Sequence, residues 1–316
     1  MKFYSYRLNI LTVEFAVLIL SSLVFGRIAA LYLFVPLSDP ASIRKKMIEE
    51  LAPLNLCGTL LIAPEGINGT LAGSAEAVEN MLALLGQYFG LTRREVKFSY
   101  ADEKPFKRFK IRLKQEIVTF RQPEADPNLR VGVYVSTEDW NALISDPEVL
   151  VIDTRNRYET MIGSFIGAKD PKIDRFTEFA DFVRAELDPK RHTKIAMFCT
   201  GGIRCEKASA FMLAEGFPEV YHLKGGILKY LEDVPIEESR WQGECYVFDR
   251  RMAVGHGLTS GRYSMCFCCG YPLDEGDKLH AFYEEGVSCG HCHANTSAED
   301  KSIYRRRHEQ MTKQGW

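Results

Sequence analysis

KIAMFCTGGIRCEKASAFMLAEGF, residues 194–217, sets an apolar run against a glycine-bearing loop and then a stretch with helical spacing. KIAMF is apolar almost throughout, as a strand covered on both faces of a parallel sheet is. EKASAFMLAEG repeats its apolar residues at a helical period, so a helix is predicted to open near Cys205. Cys199 therefore stands at the carboxyl end of a strand, followed by the loop Thr200, Gly201, Gly202 and Ile203 and then by Arg204 and Cys205. In such a loop the amides can turn inward as an anion-binding nest backed by the positive end of the helix. Gly201 and Gly202 allow the tight bend, and Arg204 adds a fixed positive charge that lowers a thiol pKa. Three readings fit: a phosphate-binding catalytic loop, a sulfur-carrying catalytic loop, or a structural turn around a buried thiol. Four residues separate Cys199 from Arg204, one fewer than in the cysteine phosphatases, and the smaller cradle suits a sulfane sulfur or small anion better than a phosphate monoester.

Residues around the loop continue the strand and helix alternation. VGVYV, VLVID and EVYHL read as further strands, while WNALI (behind Ser136 and Asp139 at capping-box spacing) and FTEFADFVRAEL read as helices. Alternation of this kind argues for a parallel α/β domain over residues 131–235, whose site lies at the carboxyl ends of its strands. RQPEADPNLR, with two prolines and no apolar period, is the linker before it.

Residues 28–120 read as a different class. IAALYLFV, a helix from Pro40 to Leu51, GTLLIA and GTLAG around the loop PEGIN, a helix capped by Ser74, VKFSYA and FKIRLKQEIVTF follow one another in the order βαββαβ with an added strand. This order predicts a ferredoxin-like (acylphosphatase-like) α+β sandwich, a fold that by itself names no function. Its last part is basic, and Arg108, Lys110, Arg112 and Lys114 share one face of the final strand, with Lys107 beside them. Such a face is either plain solvated surface or a contact for a phosphate backbone.

With 316 residues, 46% apolar and 26% charged, the chain is globular, and disorder is excluded for its bulk. The net charge of -2 gives no overall pull toward nucleic acid, so any polyanion surface has to be local. Nine cysteines in so large a chain fit reduced cytoplasmic thiols better than a disulfide framework. Residues 1–27 carry the apolar run ILTVEFAVLILSSLVFG, interrupted by Glu14 and too short to span a bilayer, where the hydrocarbon needs roughly 20 residues. An N-terminal extension is the expectation there, a signal or anchor the competing one, and no membrane association is expected.

Residues 240–316 form a Cys-rich region with a basic tail. Cys266 and Cys269 face Cys289 and Cys292 as two CxxC pairs at zinc-knuckle separation, and four thiolates would staple a segment too small for its own core. Cys268, His291 and His293 stand close enough in sequence to leave the ligand set open, and a metal-free thiol cluster is the alternative. IYRRRHEQ, with Arg305, Arg306 and Arg307, continues as a basic helix that is either solvated or in contact with RNA.

VIDTRNRYE, IGSFIGA, CTGGIRC and VYHLKGGI resemble, in order and spacing, the successive signatures of a rhodanese domain. The resemblance implies that Cys199 is the loop cysteine that carries a persulfide in rhodaneses, that Asp153 and Arg155 are the polar pair supporting the loop, and that Arg204 is the loop arginine. Cys205 is an addition to the plain pattern, either a resolving thiol or a packed residue of the first helical turn. LLIAPEGINGTLAG, SYADEKPFKRFKIRLKQEIVT, DPNLRVGVYV, MFCTGGIRCEKAS, GGILKYLE and GECYVFDRR extend the likeness to the bacterial rhodanese-related tRNA wobble-uridine hydroxylases, over nearly everything from residue 28 onward. That resemblance implies an oxygen-dependent hydroxylation at C5 of the first anticodon uridine, with molecular oxygen as co-substrate and the tRNA anticodon loop as partner. No flavin, haem or nucleotide motif is seen. Two chemistries are open for the loop: the Cys199 thiolate adds to C6 of uracil and makes C5 electron-rich, or a persulfide is the reactive species. The rival function is a sulfurtransferase moving sulfane sulfur to small thiols or into tRNA thiolation.

Overall fold

The computed structural model describes residues 26–101, 104–249 and 251–313, in two compact bodies that meet in sequence at Thr119 and Phe120. The apolar segment expected to be an extension lies, except for Gly26 and Arg27, outside the described residues.

The first body is built from β1 (Gly26–Phe34), α1 (Pro40–Leu51), β2 (Cys57–Ala63), β3 (Gly66–Gly73), α2 (Ala75–Phe89), β4 (Val96–Ala101) and β5 (Phe109–Leu113). Pro40 opens α1 behind the cap Asp39, and the Ser74 hydroxyl accepts the Ala77 amide to start α2, where a proline ring or a short acceptor costs the helix nothing. The sheet runs β4-β1-β3-β2-β5, the ferredoxin-like arrangement with β5 added parallel to β2 at one edge. Met47, Leu51, Val78, Met81 and Leu85 of the two helices pack on Leu31, Leu60, Ile62, Leu71 and Ile111. The loop PEGIN is shorter than its composition suggests. Only Pro64 and Glu65 turn, and Gly66 to Asn68 are already in β3, because Gly66 (φ 147°) lies so close to the Leu33 carbonyl that a Cβ would sit 2.0 Å from its oxygen. Glu65 and Asn68 then clamp the chain beyond β5: the Ile117 amide donates to Glu65 at 2.6 Å, and Asn68 donates to the Ile117 carbonyl at 2.9 Å.

The second body carries a parallel sheet in the order β6-β10-β9-β7, from β6 (Val133–Val135), β7 (Val149–Asp153), β9 (Lys194–Phe198) and β10 (Glu219–Leu223). β8 (Gly163–Phe165) lies between β7 and β9 in the chain. The crossovers hold α3 (Thr137–Leu143), the single turn α4 (Arg157–Thr160), α5 (Phe179–Glu186) and α6 (Ile203–Ala214), and α7 (Gly226–Asp233) follows β10. Ser136 accepts the Asp139 amide at 3.2 Å at the head of α3. α6 opens at Ile203, two residues before the expected start, which puts Cys205 inside its first turn.

Two boundaries differ from the expectation from sequence. Phe120 stacks on Phe176 at 4.6 Å and meets Phe211 edge-on at 5.4 Å, so its ring belongs to the second body. Beyond residue 235, β11 (Trp241–Gly243) pairs antiparallel with β8, and Trp241, Cys245, Val247 and Val254 join Trp140, Phe165 and Phe198 in one core. The chain then makes the hairpin β12 (Cys245–Tyr246) with β13 (Ala253–Val254), the hairpin β14 (Ser264–Met265) with β15 (Pro272–Leu273), the turn α8 (Glu275–Lys278) and the terminal α9 (Ala298–Lys313).

Candidate active site

Cys199 follows β9 directly and is 1% exposed. Its sulphur accepts the Gly202 amide at 3.1 Å, and the thiol and amide of Cys205 lie close enough to lower its pKa. Burial alone would push this thiol up. The hydrogen bond from the Cys205 side chain, the charge of Arg204 and the two amides outweigh that and bring Cys199 down to about 5, so it rests as a thiolate near neutrality. Gly202 (φ 110°) takes the left-handed turn that aims its N–H at the sulphur. The floor is the second glycine pair. Gly226 (φ 68°) sits where a Cβ would be 2.5 Å from the Cys199 carbonyl oxygen, and the Ile227 and Leu228 amides donate to the Cys199 and Thr200 carbonyls at 2.9 and 3.1 Å. Of the loop, Gly201 and Ile203 are partly exposed, whereas Thr200 and Gly202 are buried.

Around this nest lies a buried polar frame. Asp153, at the end of β7, takes a forked pair of hydrogen bonds from Arg155 at 2.9 and 2.7 Å, both side chains being wholly buried. Arg155 reaches on to the Gly163 carbonyl at 2.6 Å, and Ser164 donates to Asp153 at 2.9 Å, so the pair ties β7 to β8. Buried this deeply, the pair acts through position, and its many hydrogen bonds offset a desolvation cost that an ion pair alone often fails to recover.

Glu159 was not singled out from the sequence. It is 0% exposed, accepts both Arg204 terminal nitrogens at 2.6 Å, and takes Thr200 at 3.3 Å and the Asn156 amide at 3.2 Å. Burial would raise its pKa, yet Arg204 and the Asn156 amide hold it below the usual carboxylate range. Arg204 is thus committed to Glu159 and reaches Cys199 by its charge. The one sequence signal was the Asn156-to-Glu159 spacing of a capping box at α4. Two other neighbours gave no such signal. Thr154 donates to the Phe198 carbonyl at 3.0 Å and contacts the Cys205 sulphur at 3.5 Å. Cys245 is fully buried beside Arg155 and Thr200, and burial pushes its thiol up to about 12.

The remaining site expectations fall elsewhere. Cys266, Cys269, Cys289 and Cys292 come together with their sulphurs all within 4.8 Å of one another. His291 stacks on Tyr271, His293 on Phe282, and Cys268 turns to Thr296 at 3.7 Å, which leaves the four-sulphur set alone. Lys110 and Arg112 are exposed either side of the buried Ile111 on β5, and Lys107, Arg108 and Lys114 are exposed as well. On α9, Arg305 pairs with Glu284, Arg307 donates to the Phe267 carbonyl at 2.7 Å and lies over Tyr304, and Arg306 is exposed.

Comparison with known proteins places these parts. Residues 26–117 match the UPF0176 acylphosphatase-like domain, and residues 136–233 the rhodanese-like domain. Over 280 residues the chain is 54% identical to a tRNA uridine(34) hydroxylase of Deinococcus radiodurans, covering 89% of this chain and 93% of that one. The chain belongs to the tRNA uridine(34) hydroxylase family. Among solved structures, the rhodanese-like domain of an Anabaena protein matches at 19% identity and a TM-score of 0.29, covering 35% of this chain and 78% of that one. An acylphosphatase from Coxiella burnetii matches at 10% identity and a TM-score of 0.21, over 28% and 92%. No helix among the described residues is long and apolar enough to cross a membrane.

Proposed function

We propose that this chain hydroxylates C5 of the uridine at the first anticodon position of tRNA, with dioxygen as co-substrate and Cys199 as the nucleophile. The observation that carries the reading is the buried Cys199 thiolate in its nest of amides, on a chain of this family. A uracil entering past Gly201 and Ile203 meets the sulphur at C6. Addition there moves negative charge onto C5 and O4, which makes C5 able to attack oxygen, and loop N–H groups stabilise the charge as it grows. A uridine in an anticodon loop is single-stranded and can be splayed into such a site without opening a duplex. Nine free cysteines fit a reducing cytoplasm.

Two supporting parts belong to the same reading. The exposed Lys107, Arg108, Lys110, Arg112 and Lys114 offer contacts to the RNA backbone, as does Arg306. Cys266, Cys269, Cys289 and Cys292 are the residues that would hold a structural zinc. Their sulphur separations of 3.8 Å, from Cys266 to Cys292, Cys269 to Cys289 and Cys289 to Cys292, equal the spacing of about 3.8 Å that tetrahedral zinc–sulphur bonds of about 2.3 Å require. Bound there, it would serve to fold the Cys-rich region.

The test is nucleoside mass spectrometry of tRNA from cells lacking the gene, complemented with the wild type or with Cys199→Ser. Wild type should restore 5-hydroxyuridine, and the serine variant, protonated near neutrality, should restore none. Hydroxyuridine with the serine variant would remove Cys199 from the chemistry. Restored thiolation in place of hydroxylation would favour the sulfurtransferase.

A further inference from the structure

Placing one atom of dioxygen on a carbon leaves the other to depart as water, and that second half needs two electrons and two protons. Two thiols becoming one disulfide supply both. The candidate site holds two buried thiols on one loop, Cys199 and Cys205. Cys205 projects from the first turn of α6, 0% exposed, its amide bonded to the Gly202 carbonyl at 3.0 Å and its sulphur held against Thr154 at 3.5 Å. Gly202 thus links the two residues, its amide on the Cys199 sulphur at 3.1 Å and its carbonyl on the Cys205 amide, and each thiol is near enough to shift the other's titration. Burial and the neighbouring Cys199 both push Cys205 up, so it rests as the protonated partner of the thiolate. The structure thus keeps one sulphur ready to attack and one still bearing its hydrogen.

We propose that Cys199 and Cys205 are the enzyme's own two-electron reductant, ending each turnover as a disulfide that an external dithiol must reopen. This rests on the hydroxylase reading above. In the sequence that balances, the Cys199 sulphur bonds to C6 and C5 takes up dioxygen and a proton to become a hydroperoxide. The Cys205 sulphur attacks the outer peroxide oxygen, the O–O bond breaks, the inner oxygen stays on C5 as hydroxyl, and Cys205 becomes a sulfenic acid. C5 then loses its proton as the C6–sulphur bond breaks, releasing hydroxyuridine and the Cys199 thiol. Cys199 displaces the hydroxide of the sulfenic acid, which leaves as water with the thiol proton. In sum, uridine, dioxygen and two thiols give hydroxyuridine, water and a disulfide.

Cys245 is the other thiol near the loop. It lies on the side of Arg155 and Thr200, with its sulphur directed to the Tyr246 carbonyl at 3.6 Å. The assignment therefore distinguishes between two buried thiols and is open to direct test.

The experiment uses the full chain, fully reduced and freed of added thiol, mixed in air with unmodified tRNA. Hydroxyuridine is counted by mass spectrometry and disulfides by peptide mapping without reduction. One Cys199–Cys205 disulfide per hydroxyuridine is expected, with turnover stopping after the first round and resuming on addition of dithiothreitol. Cys205→Ser should lower steady-state turnover by roughly tenfold or more, while a wild-type circular dichroism spectrum shows that it has folded. Hydroxyuridine formed without the disulfide, a disulfide from Cys199 to Cys245, or disulfide forming equally fast without tRNA would each overturn this inference and leave the hydroxylase reading standing. Wild type that makes no hydroxyuridine under these conditions, with or without dithiothreitol, would overturn both.

Discussion

Cys199 and Glu159 show how single residues set the chemistry of this site. The thiol would titrate well above neutrality if burial acted alone, and its hydrogen bonds and Arg204 bring it to about 5. A folded-state pKa below the unfolded value means that the thiolate's stabilising contribution is complete above the unfolded cysteine range and is lost as pH falls through about 5. Thiolate ultraviolet absorbance, taken as wild type minus Cys199→Ser, should accordingly rise through a step centred near 5. A step in the ordinary cysteine range would mean that the nest does not hold the anion. Glu159 is the other lever, because it is the carboxylate that compensates a nearly buried Arg204. Glu159→Gln leaves that guanidinium buried without its charge partner and should cost about 3–5 kcal/mol, as breaking buried pairs does. Denaturant unfolding of the two proteins measures it, and a loss below about 1 kcal/mol, the range of exposed pairs, would show that water reaches the pair.

At the scale of elements, the geometry of the loop is made by segments distant in the chain. β7 ends on Asp153 with Arg155 two residues beyond, α4 delivers Glu159, and the start of α7 brings Gly226 under the Cys199 carbonyl. The cap of α6, Gly202, contributes the amide on the Cys199 sulphur, and its first turn contributes Cys205. The Cys-rich region has a different logic, since its cluster of Cys266, Leu273, Cys289 and Cys292 is too small to stand as an apolar core. About one zinc per chain is therefore expected in freshly purified, reduced protein, read by metal analysis. A strong chelator should raise amide hydrogen exchange across Ser264–Thr296 while β9 stays protected, because its Ala196 and Phe198 belong to the separate cluster around Trp140. Purified, reduced protein free of metal, with that segment still protected, would favour the bare thiol cluster.

For the molecule as a whole, a net charge of -2 means that tRNA affinity has to come from local surface. Lys110 and Arg112 are exposed on an edge strand, with Lys114 directly after it. Replacing these three by glutamine should weaken tRNA binding and reduce the slope of log affinity against log salt by about two to three, roughly one for each phosphate no longer neutralised. Replacing Arg305, Arg306 and Arg307 should do less, since Glu284 already balances Arg305 and the Phe267 carbonyl engages Arg307. Filter binding across a salt series compares the two variants, with Cys199 absorbance as the control for folding. Equal slopes in wild type and the strand variant would return β5 to plain solvated surface.

What could be read in the chain alone was whatever depends on near neighbours. The cap at Ser74, the start of α1 at Pro40, the alternation of apolar strands with helices and the glycine loop after KIAMF are local preferences of backbone and side chain, and each stands where its residues suggested. Cys199 was legible for the same reason, since a strand, two glycines and a helix suffice to make a nest. Tertiary structure alone decided the rest. Glu159 is the partner of Arg204 across 45 positions, Phe120 packs with Phe176 beyond the linker, and Trp241 extends the core past residue 235. Four cysteines converge while His291 and His293 stack on aromatic rings instead. These outcomes depend on which buried groups can satisfy one another once the sheet has closed, and spacing along the chain carries no record of that distance in space.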